Sequence, residues 1–289
     1  MTQILRKLIQ IEQLNFLLTN RIPRQLLTRV MGWYSQINNP CLTRLSISVW
    51  RLFANDLDLS DAKQQRFNSL HECFIRELKP GARPVDTSDD VLISPCDAII
   101  GSFGCIEGTT LYQTKGFPYQ LSDLIPDQKL QSKYKNGRYI TLRLKSSMYH
   151  HFHAPLTGEV KQVTYISGDC WNVNPVALKR IEKLYCKNER AMLELKTASN
   201  HNDILMVPVA AILVASMKFD CLDEMLDLKY KGPNRLLCNA RYTKGDDMGY
   251  FQHGSTIILF TTNSYEFSSD LKQGERINMG QALMKRVTA

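Results

Sequence analysis

Long apolar runs are absent from this sequence of 289 residues. No 18 consecutive residues are apolar, so we expect no helix that spans a bilayer. An arginine and an asparagine interrupt the first apolar residues and no small-residue cleavage site follows, so we expect no signal peptide. Zinc-finger spacings and aromatic RNA-binding signatures are also missing, which argues against a nucleic-acid-binding module.

Cysteine pairs of the C-x-x-C type are missing as well. The eight cysteines stand apart and several lie in apolar surroundings, so we interpret them as free thiols in a reducing compartment. What remains is the composition of an ordinary globular protein with a core, at 44% apolar and 22% charged residues.

Acidic residues are scarce in the first part of the chain. Residues 1–53 contain one acid, Glu12, against seven arginines and lysines, so this segment carries +6 of the formal charge of +8. A basic amphipathic segment of this kind favours an anionic partner surface, either a membrane or a nucleic acid.

Helical periodicity dominates this basic region. Apolar residues spaced by three and four predict a helix over 4–18, a second beginning at Pro23, a third after Pro40, and a fourth carrying the apolar residues of 67–78. Two interpretations of the apolar faces stay open. They pack on the protein's own core, or the first two helices lie in a membrane interface.

Strand patterns replace the helical periodicity after residue 84. Without βαβ alternation, these short β-branched and apolar runs predict an α+β fold with a mostly antiparallel or mixed sheet. We therefore expect a helical, basic amphipathic region over 1–84, whose association with a membrane stays open at this point, and a β-rich catalytic domain over 85–289. The predicted strands are 91–93, 98–100, 139–144, 160–166, 191–195, 204–217 and 255–261.

Three stretches carry residues suited to chemistry. ISPCDAII places Asp97 before an apolar strand, where it is either a buried acid or a turn cap. SSMYHHFHAPLTGEV holds His150, His151 and His153, which suit proton transfer or a metal site. No second ligand cluster completes a metal shell, so we expect no metal.

The third stretch is FQHGSTIILF, with Ser255 at the entrance to an apolar strand. It lacks the glycine that follows the nucleophile in the G-x-S-x-G elbow, and taken alone it resembles a turn. Together with Asp97 and a histidine, however, Ser255 completes an acid–base–nucleophile set. The nearest acyl group is the carbonyl of Gly254 itself.

These motifs resemble those of the phosphatidylserine decarboxylase family, whose members process themselves and use a pyruvoyl group. The resemblance extends over some 200 residues and rests on several motifs in the same order. The matching segments are FNSLHECFIRELKPGARPVD (67–86), SPCDA (94–98), YHHFHAPLTG (149–158), WNVNP (171–175), NER (188–190) and KGDDMGYFQHGSTIILF (244–260).

The resemblance implies a self-cleavage reaction. Asp97 and His153 would activate Ser255 to attack the carbonyl of Gly254. The bond would break to give chains 1–254 and 255–289, with a pyruvoyl group formed from Ser255 and the two products held together without a covalent bond. Further dimerisation is compatible with this arrangement.

The resemblance also implies the activity. The enzyme would decarboxylate phosphatidylserine to phosphatidylethanolamine and CO2, with His150 serving the decarboxylation step and Lys115 contacting the substrate. It would be a peripheral protein on the cytoplasmic face of the cell membrane, with a phospholipid substrate and an anionic membrane as partners. This favours the membrane interpretation of the basic helices.

The sequence departs from the family pattern at two positions. Ala98 stands where the family usually has glycine, and His253 stands where it more often has leucine. Two alternatives to the leading interpretation remain. One is a decarboxylase of another serine phospholipid, such as an archaetidylserine-type lipid, and the other is a non-processing relative that binds lipid.

Overall fold

The computed structural model describes residues 23–111, 117–198, 202–213, 216–252 and 255–287. Within these ranges, two longer helices are followed by five short ones. The predicted helix over 4–18 lies outside the described residues. The helices are α1 (Arg24–Ser35), α2 (Pro40–Phe53), α3 (Leu70–Phe74), α4 (Leu121–Leu124), α5 (Gln128–Tyr134), α6 (Pro175–Arg180) and α7 (Leu184–Lys187).

The helix starts follow from the sequence, but one helix end does not. The side chain of Asn39 accepts hydrogen bonds from the first turn of α2, and Pro40 occupies the position where a missing N–H costs nothing. The fourth predicted helix was too long, because α3 has only five residues. Beyond it, Leu78 pairs with Ala62 in an extended bridge, and this tertiary pairing overrides the local helical pattern.

An eight-stranded sheet forms the centre of the molecule, and every neighbouring pair in it is antiparallel. This confirms the predicted α+β class with a β-rich body. In spatial order its strands are β12 (Arg235–Tyr242), β7 (Gly158–Ile166), β8 (Arg190–Leu195), β9 (Ile204–Ala210), β14 (Ser255–Thr261), β5 (Arg138–Leu144), β2 (Ala98–Cys105) and β16 (Arg276–Ile277).

Smaller sheets complete the fold. One holds β11 (Met225–Asp227), β10 (Ser216–Phe219), β13 (Asp247–Phe251) and β6 (His151–His153), in that spatial order. Another holds β1 (Val91–Ile93), β17 (Ala282–Arg286) and β15 (Tyr265–Phe267), and a short pair joins β3 (Thr110–Leu111) to β4 (Tyr119–Gln120).

The single strand predicted over 204–217 is wrong, because the chain forms two strands in different sheets. β9 ends at Ala210, and Leu213 adopts the left-handed region with φ 89°. A leucine rarely enters that region, so the apolar pattern gives no sign of the break.

Two cores lie on opposite faces of the large sheet, and β14 contributes to both. Ile257 and Leu259 pack on the face shared with Phe152 and Phe251 of the four-stranded sheet. Ile258 and Phe260 pack on the other face, with the residues around α4, α5 and α7. This alternation follows from the two-residue period of a strand.

The outer surface of α1 and α2 is apolar. Five of its large side chains are more than half exposed, and two more are nearly half exposed. None of the helices in the described part of the chain has the length and apolarity to cross a bilayer. The exposed residues are Leu26, Val30 and Trp33 on α1, and Leu45, Val49, Leu52 and Phe53 on α2.

The eight cysteines are free thiols, as predicted.

Candidate active site

Ser255 begins the strand at the centre of the large sheet. It lies opposite Leu144 of β5 on one side and Ala210 of β9 on the other. The residue is fully buried, and its Oγ has no hydrogen-bond partner among the described residues. A buried hydroxyl without a partner is costly, which marks this position for a role other than stability.

The side chain of Ser255 points toward the four-stranded sheet. Because side chains alternate along a strand, Ser255 shares its face with Ile257 and Leu259. Phe152 of β6 packs in the same core. Strand β6, which carries the histidines, and Ser255 on β14 therefore border the same core.

His150 directly precedes β6 and is fully buried. Its carbonyl accepts a hydrogen bond from Phe251 N at 3.0 Å, which joins it to the strand leading toward Ser255. Neither ring nitrogen has a partner among the described residues. Burial, followed by the charge of Arg76, lowers the pKa of His150 to about 3, so it is a neutral imidazole at physiological pH.

His153 is held at both ring nitrogens. Nδ1 lies 2.8 Å from the carbonyl of Gly245, and Nε2 lies 3.0 Å from the hydroxyl of Tyr149. A carbonyl only accepts, so this network assigns the proton to Nδ1 and makes Nε2 the acceptor of the Tyr149 hydroxyl. Burial lowers the pKa of His153, opposed by the charges of Asp247 and Asp97.

Asp97 is a fully buried carboxylate with cationic partners. Arg83 donates to both of its oxygens at 2.7–3.2 Å, Met279 N donates at 3.0 Å, and Arg276 lies at 3.5 Å. No hydrogen bond joins Asp97 to His153 in the described parts of the chain. The two remain neighbours, because His153 N donates to Pro95 O at 2.7 Å.

The structure thus brings together the three stretches that the sequence analysis selected. Besides the Pro95–His153 contact, Ala154 N donates to Asp246 O at 2.8 Å, and the segment containing Asp246 leads through β13 toward Ser255. The acid, the histidines and the hydroxyl lie on neighbouring segments, without a continuous hydrogen-bonded chain from Asp97 to Ser255 among the described residues. Because Phe152 enters the core that Ser255 faces, the two-residue period of β6 puts the side chain of His153 on the opposite face of that strand.

His151 has a structural role that the sequence analysis did not assign. Its Nδ1 lies 2.6 Å from Asp247, and its Nε2 lies 3.0 Å from the carbonyl of Ile75. Burial opposes protonation, but the hydrogen bond and charge of Asp247 raise the pKa of His151. The pair ties β6 to β13 and so fixes the strand that carries His153.

Arg83 is the site residue that sequence reasoning missed. It bridges Asp97 and Asp61, and its hydrogen bonds to Asp97 raise its pKa. The signal was present, because Arg83-Pro84 lies within the segment 67–86 that resembles the family motif. Nothing in that segment indicated which acid the arginine would meet.

We expect Arg83→Met to destabilise the protein by about 3 kcal/mol, because it leaves the carboxylate of Asp97 buried without its main partner. The measurement is urea unfolding, made in the Ser255→Ala background so that a single chain unfolds. Arg276→Met is the matched control, since its guanidinium is 47% exposed and lies 3.5 Å from Asp97. Equal losses from the two variants would contradict this account of the pair.

The remaining sequence-selected positions are placed as follows. Ala98 begins β2 opposite Ile277 in ordinary extended backbone, so alanine fits where the family usually has glycine. Gly254, His253 and Lys115 lie outside the described residues. Over the described ranges, no three His, Cys, Asp or Glu side chains form a group suited to a metal ion.

Comparison with known proteins identifies the class. The sequence model of phosphatidylserine decarboxylase matches residues 70–285. The chain is 31% identical over 271 residues to the phosphatidylserine decarboxylase proenzyme of Brevibacillus brevis, covering 92% of this chain and 95% of that protein. It is 33% identical over 260 residues to the protein of that name from Clostridium beijerinckii, covering 88% and 80%.

A third relative of the same name, from Ruminiclostridium cellulolyticum, is 35% identical over 221 residues, covering 76% of this chain and 68% of that protein. These matches place the chain among the carboxy-lyases. It belongs to the phosphatidylserine decarboxylase family.

Proposed function

We propose that this chain decarboxylates phosphatidylserine to phosphatidylethanolamine and CO2, after cleaving itself between Gly254 and Ser255. The observation that carries the proposal is the buried Oγ of Ser255, which has no partner among the described residues and faces the core beside the histidine strand. The word "proenzyme" in the names of the relatives agrees with cleavage as a maturation step.

The self-cleavage begins at Ser255. Its Oγ attacks the carbonyl carbon of Gly254, the peptide nitrogen leaves, and an ester forms with a free amine on residue 255. Loss of the Cα proton then expels the Gly254 carboxylate and leaves a dehydroalanine. One water hydrolyses its imine tautomer, releases ammonia and leaves a pyruvoyl group at the start of the chain 255–289.

The proton transfers are assigned to the histidines and Asp97. His153 Nε2 accepts the Ser255 proton after a rearrangement that displaces the Tyr149 hydroxyl and brings the ring to the Ser255 side of β6. Before that step, the carbonyl of Gly245 holds the ring in the required tautomer. Asp97 stabilises the positive charge that develops on His153, as its effect on the pKa of that residue supports. Arg83 positions Asp97.

The residues present fit a pyruvoyl group at position 255. The Oγ of Ser255 is a buried polar atom without a partner among the described residues, and the backbone of His150 is bonded to Phe251, four residues before Ser255 in the chain. When present, the pyruvoyl group accepts the electrons that the leaving carboxylate releases. We assign to His150 the proton that replaces the carboxylate on the substrate carbon. The ring is neutral in the uncleaved chain, so this role requires that the bound anionic substrate raise its pKa, and the buried surroundings exclude water.

We further propose that α1 and α2, within the region 1–84, bind the protein to the cytoplasmic face of the cell membrane. Their exposed apolar side chains, Trp33 and Phe53 among them, are flanked by the exposed Arg29, Arg44 and Arg51. Apolar residues inserted beside cationic ones are typical of a helix lying in an anionic interface.

The direct test is product analysis with defined lipids. We expect the purified protein to convert phosphatidylserine vesicles to phosphatidylethanolamine with release of one CO2 per lipid, measured by mass spectrometry. An archaetidylserine-type lipid, which shares the head group but differs in its backbone, is the comparison substrate. Preference for that lipid would favour the alternative decarboxylase, and no product from either would favour a lipid-binding relative.

A further inference from the structure

A polar cleft lies between α1 and the start of the four-stranded sheet. Its volume is about 290 Å³. On the helix side it is lined by residues spaced by three and four, which therefore share one face of α1. The polar residues that line it are Thr28 and Arg29 from the helix, Gln36 directly after it, and Ser216, Asp227, Lys229 and Gln252 from the sheet side.

Helix α1 is fixed in place over this cleft. The buried Thr28 accepts a hydrogen bond from Leu213 N at 3.1 Å. At the helix start, Arg24 pairs with Asp169 at 2.6 Å, and its guanidinium lies 3.5 Å from the ring centre of Trp171. These anchors hold Arg29 against the sheet in a defined position.

The cleft carries excess positive charge. Arg29 and Lys229 are exposed, and neither side chain forms an ion pair with any described residue. Among the described residues, Asp227 is the one acid that lines the cleft. Its Oδ1 accepts a hydrogen bond from the backbone N of Lys229 at 2.8 Å, which orders the turn that presents this lysine. The net charge of +1 matches a singly charged anion.

The cleft is close to the proposed cleavage site. Gln252 borders it, held by a 2.8 Å hydrogen bond between its Oε1 and Ser216 Oγ. Three peptide steps of about 3.8 Å place the Cα atoms of Gln252 and Ser255 at most about 11 Å apart. In a serine phospholipid, only Cβ and the ester oxygen separate the reacting Cα from phosphorus, so the phosphate has to bind close to residue 255, and the cleft borders the residue three positions before it.

We infer that this cleft binds the phosphodiester of the substrate head group, with Arg29 and Lys229 on its oxygens. The inference rests on the proposed function and adds to it the residues that recognise the phosphate. The acyl chains leave past Trp33, which lines the cleft and is 68% exposed on the apolar surface of α1. A lipid thereby reaches the site with its chains still in the membrane.

The test measures steady-state kinetics of Arg29→Gln and Lys229→Gln with short-chain phosphatidylserine in neutral detergent micelles, which removes the attraction of a charged membrane. We expect each variant to raise KM about ten-fold or more, with a smaller change in kcat, because a charge-assisted hydrogen bond is lost. Lys231→Gln is the matched control, since Lys231 is exposed, close in sequence to Lys229 and outside the cleft.

Self-cleavage of each variant is checked first by electrophoresis. If wild-type protein neither cleaves nor decarboxylates, the proposed function fails. If the wild type is active and Arg29→Gln and Lys229→Gln cleave normally with unchanged KM, the phosphate site alone is wrong. An equal rise of KM in Lys231→Gln would also overturn it, because the effect would then be general surface charge.

A binding measurement covers variants that do not cleave. In the Ser255→Ala background, calorimetry measures binding of glycerophosphoserine, with inorganic phosphate as the second ligand. We expect binding that Arg29→Gln weakens about ten-fold, with glycerophosphoserine the tighter ligand if the whole head group is recognised. Equal binding with and without the Arg29 side chain, or no binding at all, would overturn the inference.

Discussion

Replacement of Ser255 by alanine is expected to leave a single 33.1 kDa chain and to abolish decarboxylation. The wild type should instead separate on a denaturing gel into chains 1–254 and 255–289. Because the Oγ that is removed has no hydrogen-bond partner among the described residues, the substitution should cost little stability. The variant therefore separates loss of chemistry from loss of folding.

Mass spectrometry completes this experiment. The small chain should begin with a carbonyl in place of an amine and resist amino-terminal sequencing. Thr256→Val is the matched control, since it alters the next residue of the same strand, on the opposite face, and should cleave as the wild type does. A wild-type protein that remains in one piece, with no difference from Ser255→Ala, would refute self-processing.

Alanine substitutions at His153 and His150 should have different effects. His153→Ala is expected to remain largely uncut, because Ser255 loses the proposed acceptor of its proton. His150→Ala should cleave but lose decarboxylase activity by a factor of about 10² to 10⁴, the usual contribution of a positioned proton donor or acceptor. Electrophoresis reports the cleavage, and CO2 release from the cleaved fraction reports the activity.

Tyr149→Phe is the informative companion to these two variants. It removes only the hydroxyl that lies 3.0 Å from His153 Nε2, and it should retain cleavage because that nitrogen becomes available. The opposite pattern, with His150→Ala uncut and His153→Ala cleaved but inactive, would reassign the base to His150. Neither ring nitrogen of His150 is occupied by a hydrogen bond from a described residue, so either one is available to accept a proton.

The sequence predicts elements well where burial is uniform. The run 255–261 is a strand with the predicted bounds, because every residue of β14 is buried and the run is rich in β-branched and aromatic residues. The starts of α1 and α2 were marked by Pro23 and Pro40. The short helices α4 to α7 were missed, since a segment of four to seven residues carries too few turns to show a period.

Tertiary contacts limit what the sequence predicts of the site. The stretches around Asp97, His153 and Ser255 were selected for their chemistry, and their roles stay predictions. The structure joins the first two through the hydrogen bond from His153 N to Pro95 O. That Arg83 holds Asp97, or that a tyrosine hydroxyl occupies His153 Nε2, depends on side-chain distances across the fold. No local pattern encodes those distances.

The position of β14 between β5 and β9 has a consequence for the cleaved protein. Both edges of the strand that begins at Ser255 are hydrogen-bonded, so the proposed break would leave the native state intact. Unfolding would then also separate the two chains. The melting temperature of the cleaved protein should then rise with its concentration, whereas that of Ser255→Ala should not. Once released, the apolar strand is an aggregation hazard, so heat inactivation of the mature protein becomes irreversible.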